Sequence, residues 1–191
     1  MSDVERLRLF VAVSLPSALL DSLAEVVAPL RGKLTNARWT TPENQHLTMK
    51  FLGWTPADRL DDIVHVCEMV AAGRQPAAIN LTSLGAFPSQ RRVRVLWMGI
   101  DDPSGVLPAL AADLDGAFEP LGFAAEGRAY TPHLTLARFK LPVPLKSGFP
   151  ELDAPPHDPV RIERMDLFRS HLSPKGARYE VMQSFPLGSG G

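Results

Sequence analysis

The sequence predicts an α+β fold in which mainly antiparallel sheets are backed by helices. Strand-like segments come in neighbouring pairs, and amphipathic helical segments separate these pairs instead of alternating with single strands. With 191 residues, of which 45% are hydrophobic, the chain can bury a sizeable core as one large domain or two small lobes. We therefore expect a single domain over residues 1–187, followed by a flexible tail over 188–191.

The periodicity of apolar residues supports each predicted element. Residues 8–14 are rich in Leu, Phe and Val and predict a buried strand. Residues 16–33 space their apolar side chains by three and four, which predicts an amphipathic helix with Pro16 in its first turn. Thr55-Pro56 with Asp58 resembles a capping box at the start of a helix. The remaining predicted elements are extended segments at 37–40 and 45–53, a helix from Thr55 to Gly73, strands at 79–87 and 92–100, a helix from Asp102 to Gly122, a strand at 130–139, a proline-rich loop at 140–159, and strands at 161–168 and 178–185.

Charge and cysteine content exclude several classes of protein. Lys and Arg number 20 and Asp and Glu 21, so the net charge of −1 argues against wholesale non-specific coating of nucleic acid. A single cysteine, Cys67, can form neither an internal disulfide nor a zinc–thiolate site. No apolar segment approaches the ~20 residues of a membrane span, and acidic residues near the N-terminus argue against a signal peptide. We expect a cytoplasmic monomer.

One short motif occurs twice, as His46-Leu47-Thr48-Met49 and His133-Leu134-Thr135-Leu136. Each copy lies in a segment with strand periodicity. Because side chains alternate across a strand, each His and Thr share one face while the apolar residues face the core. A single His-x-Thr is most simply the solvent face of a strand, but two copies favour a shared site.

The residue types in this motif suit acid–base chemistry at a phosphate. One histidine can act as a general acid and the other as a general base, since a pKa near ~6.5 allows either protonation state near neutral pH. The two threonine hydroxyls can donate hydrogen bonds to anionic oxygens. The set therefore predicts in-line cleavage of a phosphodiester without a metal.

Other catalytic chemistries have weaker support. A zinc site needs three or four protein ligands, and neither His-Glu-x-x-His nor Cys-x-x-Cys accompanies the two histidines. No glycine-rich phosphate loop appears, so ATP hydrolysis and NAD chemistry are not indicated, and we expect no metal or other cofactor. His171-Leu172-Ser173 imitates the motif but precedes Pro174 in a predicted turn, so we treat it as unrelated.

The chain resembles the 2H phosphoesterase superfamily, and most closely its RNA 2′,3′-cyclic phosphodiesterases, also called bacterial and archaeal 2′-5′ RNA ligases. The resemblance covers nearly the whole chain in several ordered blocks. They are Arg8-Leu9-Phe10-Val11-Ala12-Val13, Arg38-Trp39, Pro42-Glu43-Asn44-Gln45-His46-Leu47-Thr48-Met49-Lys50-Phe51-Leu52-Gly53, Gly85-Ala86-Phe87-Pro88, Val95-Leu96-Trp97, Arg128-Ala129-Tyr130-Thr131-Pro132-His133-Leu134-Thr135-Leu136-Ala137-Arg138 and Ser170-His171-Leu172-Ser173-Pro174-Lys175-Gly176-Ala177-Arg178-Tyr179.

The resemblance implies a fold of two pseudo-symmetric lobes with the active site in a central cleft. It further implies hydrolysis of RNA 2′,3′-cyclic phosphate ends, such as those of tRNA fragments, to 2′-phosphate ends, and in some relatives ATP-independent 2′-5′ ligation. On this pattern His46 is the proton donor, His133 the proton acceptor, and Thr48 and Thr135 hold the non-bridging oxygens.

Three further residues are expected to bind substrate. Arg128 precedes the second histidine by five residues, Lys50 shares a strand face with His46, and Tyr130 offers a ring to a terminal base. Arg138 falls on the face opposite His133 and is expected to be a salt-bridge partner. Two alternatives remain open: a nucleotide- or RNA-binding module without turnover, and a phosphodiesterase for a small cyclic nucleotide.

Overall fold

The computed structural model describes residues 5–145, 157–174 and 176–188. Its strands and helices give the α+β class that the sequence predicts. No helix in these ranges is long and apolar enough to cross a bilayer. In chain order the elements are β1 (Arg6–Val13), α1 (Ser17–Lys33), β2 (Ala37–Trp39), β3 (Leu47–Pro56), α2 (Leu60–Ala72), β4 (Ala77–Phe87), β5 (Val93–Asp101), α3 (Val106–Phe118), β6 (His133–Val143), β7 (Val160–Ile162), β8 (Arg164–Ser173) and β9 (Gly176–Pro186).

The strands form two sheets with antiparallel pairing throughout. Sheet A has the order β3-β1-β8-β9, and sheet B has the order β2-β6-β5-β4-β7. The two halves of the chain exchange strands, because β8 returns to pair with β1 while β2 pairs with β6. This exchange ties the sheets together and places one motif strand in each of them.

Sheet A has a large apolar face and a smaller aromatic one. On β1, Leu9 and Val11 join the main core, which also takes apolar side chains from sheet B and all three helices. Phe10 points to the other face, where it forms a separate cluster with Phe168 and the partly buried Tyr179. The alternation of β1 thus supports the core on one side and an aromatic floor on the other.

The structure corrects one predicted helix start and moves several boundaries. Thr55 does not begin a helix but pairs with Leu7 inside β3 and is 2% exposed, so strand pairing outweighs the capping pattern; α2 begins only at Leu60. Strand β6 extends into the predicted loop as far as Val143, and residues 146–156 of that loop lie outside the described ranges. The predicted tail lies outside them from 189 onward, while the Gly188 amide donates to the carbonyl of Ala71.

Candidate active site

The two motif strands contact each other where the sheets meet. His46 immediately precedes β3 at the edge of sheet A, and His133 begins β6 in sheet B. Strands β3 and β6 are in contact. The imidazoles are close enough for a positive charge on His133 to lower the pKa of His46. The fold therefore brings together the two histidines that the repeated motif singled out.

Backbone carbonyls hold both rings in the same way. Nδ1 of His133 donates to the carbonyl of Thr131 at 2.7 Å, and His46 hydrogen-bonds the carbonyl of Asn44. In each case the carbonyl lies two residues before the histidine. Because a carbonyl only accepts, the proton of neutral His133 resides on Nδ1, and Nε2 is left for proton transfer.

His46 lies on the aromatic floor of sheet A. Its ring centroid is 4.8 Å from that of Phe10, 5.8 Å from that of Phe168 and 5.1 Å from that of Tyr179. Burial among these rings disfavours the charged imidazolium and lowers the pKa of His46 to about 4. In the absence of a bound anion, His46 is therefore neutral at pH 7.

His133 has its own aromatic neighbours on sheet B. Its ring meets that of Phe87 edge-on at 5.1 Å and lies 6.0 Å from that of Trp97. Burial lowers the pKa of His133 as well. The Trp97 ring lies directly over Gly85, where a Cβ atom would overlap the ring carbons, so only glycine permits this packing.

A β-bulge occurs at the last position of both motifs. The extra residue is Met49 on β3 and Leu136 on β6, where the register of each strand shifts against its neighbour. A bulge moves every later side chain to the opposite face from the one strict alternation gives. Strict alternation therefore fails beyond each bulge, and the wrong predictions for Lys50 and Arg138 follow from this.

The first error concerns Lys50, which was expected to bind substrate beside His46. Its side chain is 1% exposed and its ammonium is paired with Asp115. It also donates to the carbonyl of Ala124 at 2.6 Å. Lys50 thus stabilises the packing of β3 against α3 and the segment after it, and its charge does not lie beside His46.

The second error concerns Arg138, which the sequence analysis placed away from His133. Arg138 is exposed, and its positive charge lowers the pKa of both His46 and His133. It therefore lies on the side of the histidines. Arg38 on β2 is directly opposite Arg138 on β6. Knowledge of the bulge was needed to find Arg138.

The other predicted residues are distributed as follows. Thr48 and Thr135 are half-buried on their motif strands, and Arg128 is exposed in the segment before β6. Tyr130 packs against the main core, with its hydroxyl 3.7 Å from the sulfur of Met49, and burial raises its pKa. This inward placement does not fit the predicted contact of Tyr130 with substrate, whereas the role of Arg128 stays a prediction.

Within the described ranges, no three His, Cys, Asp or Glu side chains come together at metal-binding distances. Cys67 is buried in α2, and burial raises the pKa of its thiol to about 12. A thiol with so high a pKa is a poor nucleophile at neutral pH.

Two histidine–threonine motifs brought together from two antiparallel sheets define a two-histidine phosphoesterase. The chain belongs to the 2′-5′ RNA ligase superfamily, whose family model matches residues 15–174. This confirms the resemblance drawn from the sequence blocks.

Individual relatives agree over almost the full length. A protein of Methanothermobacter thermautotrophicus named RNA 2′,3′-cyclic phosphodiesterase is 33% identical over 185 residues, which cover 95% of this chain and 100% of the relative. A Thermus thermophilus protein of the same name is 33% identical over 192 residues, covering 95% of this chain and 90% of the relative.

Solved structures share the fold. The crystal structure of a Thermus thermophilus protein superposes with a TM-score of 0.77 at 30% identity, covering 95% of this chain and 98% of that one. E. coli LigT complexed with 3′-AMP superposes with a TM-score of 0.78 at 23% identity, covering 96% of this chain and 99% of that one. The two-sheet architecture is therefore that of this family.

Proposed function

We propose that this chain hydrolyses 2′,3′-cyclic phosphate ends of RNA to 2′-phosphate ends without a metal ion. The observation that carries the proposal is the placement of His46 and His133 at the start of β3 and β6, two strands that contact each other, each histidine being followed two residues later by a threonine. Family membership and the names of the relatives that are 33% identical support the same reaction.

In the proposed reaction, water attacks phosphorus as the bond to the 3′-oxygen breaks. His133 takes the proton of the water at Nε2, and His46 gives its proton to the departing 3′-oxygen. Thr48 and Thr135 donate to the non-bridging oxygens, and the charge of Arg138 stabilises the anion. The products are a 2′-phosphate and a free 3′-hydroxyl, and the protons balance when the two histidines exchange them with solvent.

The same steps accommodate ligation. When the 5′-hydroxyl of a second RNA takes the place of water, attack at phosphorus gives a 2′-5′ phosphodiester without ATP. Which product forms depends on whether water or the 5′-hydroxyl is bound, and the two histidines keep the same roles in both reactions. Their roles exchange only when the 3′-hydroxyl attacks the 2′-5′ diester and the cyclic phosphate forms again.

The test is hydrolysis of an oligoribonucleotide that ends in a 2′,3′-cyclic phosphate. His46→Ala and His133→Ala should each abolish turnover with an unchanged circular dichroism spectrum, whereas His65→Ala, on the exposed side of α2, should retain full activity. Excess EDTA should have no effect. Full activity in either site variant, loss of activity on chelation, or binding of the RNA end without turnover by the unaltered protein would each contradict the proposal.

The pH dependence gives a second test. Both histidines have a lowered pKa, so the bell-shaped profile of kcat/KM should have its maximum on the acid side of 6.5, the ordinary histidine pKa. A cyclic mononucleotide assayed in parallel with the oligonucleotide separates an RNA enzyme from one that acts on small cyclic nucleotides. A higher kcat/KM for the mononucleotide would favour the second class.

A further inference from the structure

A cavity of about 430 Å³ opens beside His46 and is not used by the proposed chemistry. Its volume is in the range of small-molecule binding sites. Both apolar and polar side chains contribute to its wall. The apolar or aromatic wall residues include Phe168, Tyr179 and Val181, and the polar ones include Ser17, Asp21, Glu43 and Gln45.

The apolar part of the wall suits a flat aromatic ligand. Tyr179 is half-buried, and Val181 leaves 49% of its surface exposed although it is apolar. Unstacked bases at RNA ends are commonly bound against such aromatic and apolar surfaces. The cavity can therefore cover one face of a nucleobase.

The polar part of the wall offers hydrogen-bond acceptors. Asp21 and Glu43 contribute carboxylates, and no Lys or Arg among the described residues lines the cavity. Gln45 is 6% exposed, and its Nε2 donates to the carbonyl of Thr40 at 3.5 Å. The two carboxylates only accept hydrogen bonds, so this wall favours a ligand that presents N–H groups.

In-line geometry determines which part of the RNA reaches this cavity. The leaving 3′-oxygen must lie beside the general acid and the attacking water beside the general base, on opposite sides of phosphorus. If His46 is the acid, as in the proposed function on which this inference rests, the terminal ribose lies on the His46 side. The base attached to that ribose is then the group closest to the cavity.

We propose that this cavity binds the terminal nucleobase and selects guanine over uracil. Guanine presents N1–H and the N2 amino group side by side, which a carboxylate such as that of Glu43 or Asp21 accepts together. Uracil presents a single N–H between two carbonyl oxygens, which the carboxylates repel. Adenine and cytosine carry one amino group beside a ring acceptor and fall between these limits.

The experiment uses four oligoribonucleotides that differ only in the terminal nucleotide bearing the cyclic phosphate. The unaltered protein should show a kcat/KM for guanosine about tenfold or more above that for uridine, the discrimination that one bidentate pair gives. The double variant Asp21→Asn, Glu43→Gln should reduce the ratio to about threefold or less. The control is Glu25→Gln. Glu25 is an exposed carboxylate on α1, the helix of Asp21, but it does not line the cavity, so this variant should leave the ratio unchanged.

A binding measurement separates the cavity from the chemistry. Calorimetric titration with 2′-GMP and 2′-UMP, which correspond to the terminal nucleotide of the product, should give the same preference without turnover. If the protein binds 2′-GMP preferentially but hydrolyses none of the four RNA ends, the inference about the cavity is supported and the proposed function is refuted. Equal or better use of uridine, or a guanosine preference that survives in the double variant, would overturn the inference about the cavity.

Discussion

Replacing Asp115 with Asn should destabilise the protein more than replacing its partner Lys50 with Met. The Lys50 side chain is 1% exposed, whereas that of Asp115 is 23% exposed. In Asp115→Asn the Lys50 ammonium stays buried with two neutral acceptors, the amide oxygen of the substituted side chain and the carbonyl of Ala124, and without a counter-charge. Without the ammonium, Asp115 is still partly hydrated and accepts from the amide of Glu126 at 3.2 Å.

The magnitudes follow from which charge is left behind. Removing one partner of a buried pair costs about 3–5 kcal/mol when the other charge stays uncompensated, which is the case for Asp115→Asn. Lys50→Met leaves a hydrogen-bonded, partly exposed carboxylate and fills the space with a chain of similar length, so about 1–3 kcal/mol is expected. In a chain of this size each kcal/mol lowers Tm by about 2–4 °C.

Urea denaturation followed by circular dichroism measures the free energy of unfolding of the two variants and of their combination. The double variant removes both charges, so its loss should be smaller than the sum of the single losses by about 1–3 kcal/mol. Additive losses, or a larger loss for Lys50→Met than for Asp115→Asn, would refute the assignment of Lys50 to a buried ion pair.

Three further predictions concern the site. As the pH is lowered from 6.5 to 4, the free energy of unfolding should decrease by at most about 3 kcal/mol. The reason is that the unfolded chain takes up a proton that folded His46, with a pKa of about 4, does not. Urea titrations of His46→Ala at the same pH values should lack this part of the decrease. Arg138→Met removes a cation near both histidines, so the acid limb of the kcat/KM profile should move to higher pH and KM should rise roughly tenfold. An acid limb at the same pH as in the unaltered protein would show that the Arg138 charge lies away from the histidines. Gly85→Ala should displace the Trp97 ring, lowering Tm and shifting tryptophan fluorescence, whereas Gly116→Ala, with open space around it on α3, should do neither.

Local periodicity was sufficient to predict most elements of secondary structure. Apolar residues at 8–14 correspond to β1, and the three- and four-residue spacing at 16–33 corresponds to α1. The prediction failed where a local signal competed with long-range pairing. Thr55 carries a capping pattern, but its position opposite Leu7 in sheet A decides its conformation.

The order of the strands in the sheets could not be predicted from the residues alone. Nothing in the composition of β8 indicates that it pairs with β1, more than 150 residues earlier, as Leu9 does with Arg169. Pairing of this kind depends on how both sheets cover the common core. The expectation of two lobes therefore rested on family resemblance, whereas the repeated motif alone was enough to find His46 and His133.

The bulges explain why strict alternation holds within the two histidine–threonine pairs and fails for their basic neighbours. Alternation holds from each histidine to its threonine, because the extra residue follows the threonine. Beyond it, Lys50 turns inward and Arg138 turns toward the histidines. A bulge has no reliable signature in a single sequence, so the error is inherent in reasoning from strict alternation.

The different surroundings of the two histidines give the proposed mechanism a physical basis for their different roles. The sequence motifs are alike, so they cannot distinguish acid from base. His46, on its aromatic floor, is strongly desolvated, and an electrostatic interaction is larger in such surroundings than in water. A phosphate anion bound between the rings therefore favours the imidazolium of His46, which takes up its proton together with the substrate. The low pKa of His46 in the free protein is thus compatible with its action as the acid, while His133 stays neutral and accepts the proton of water.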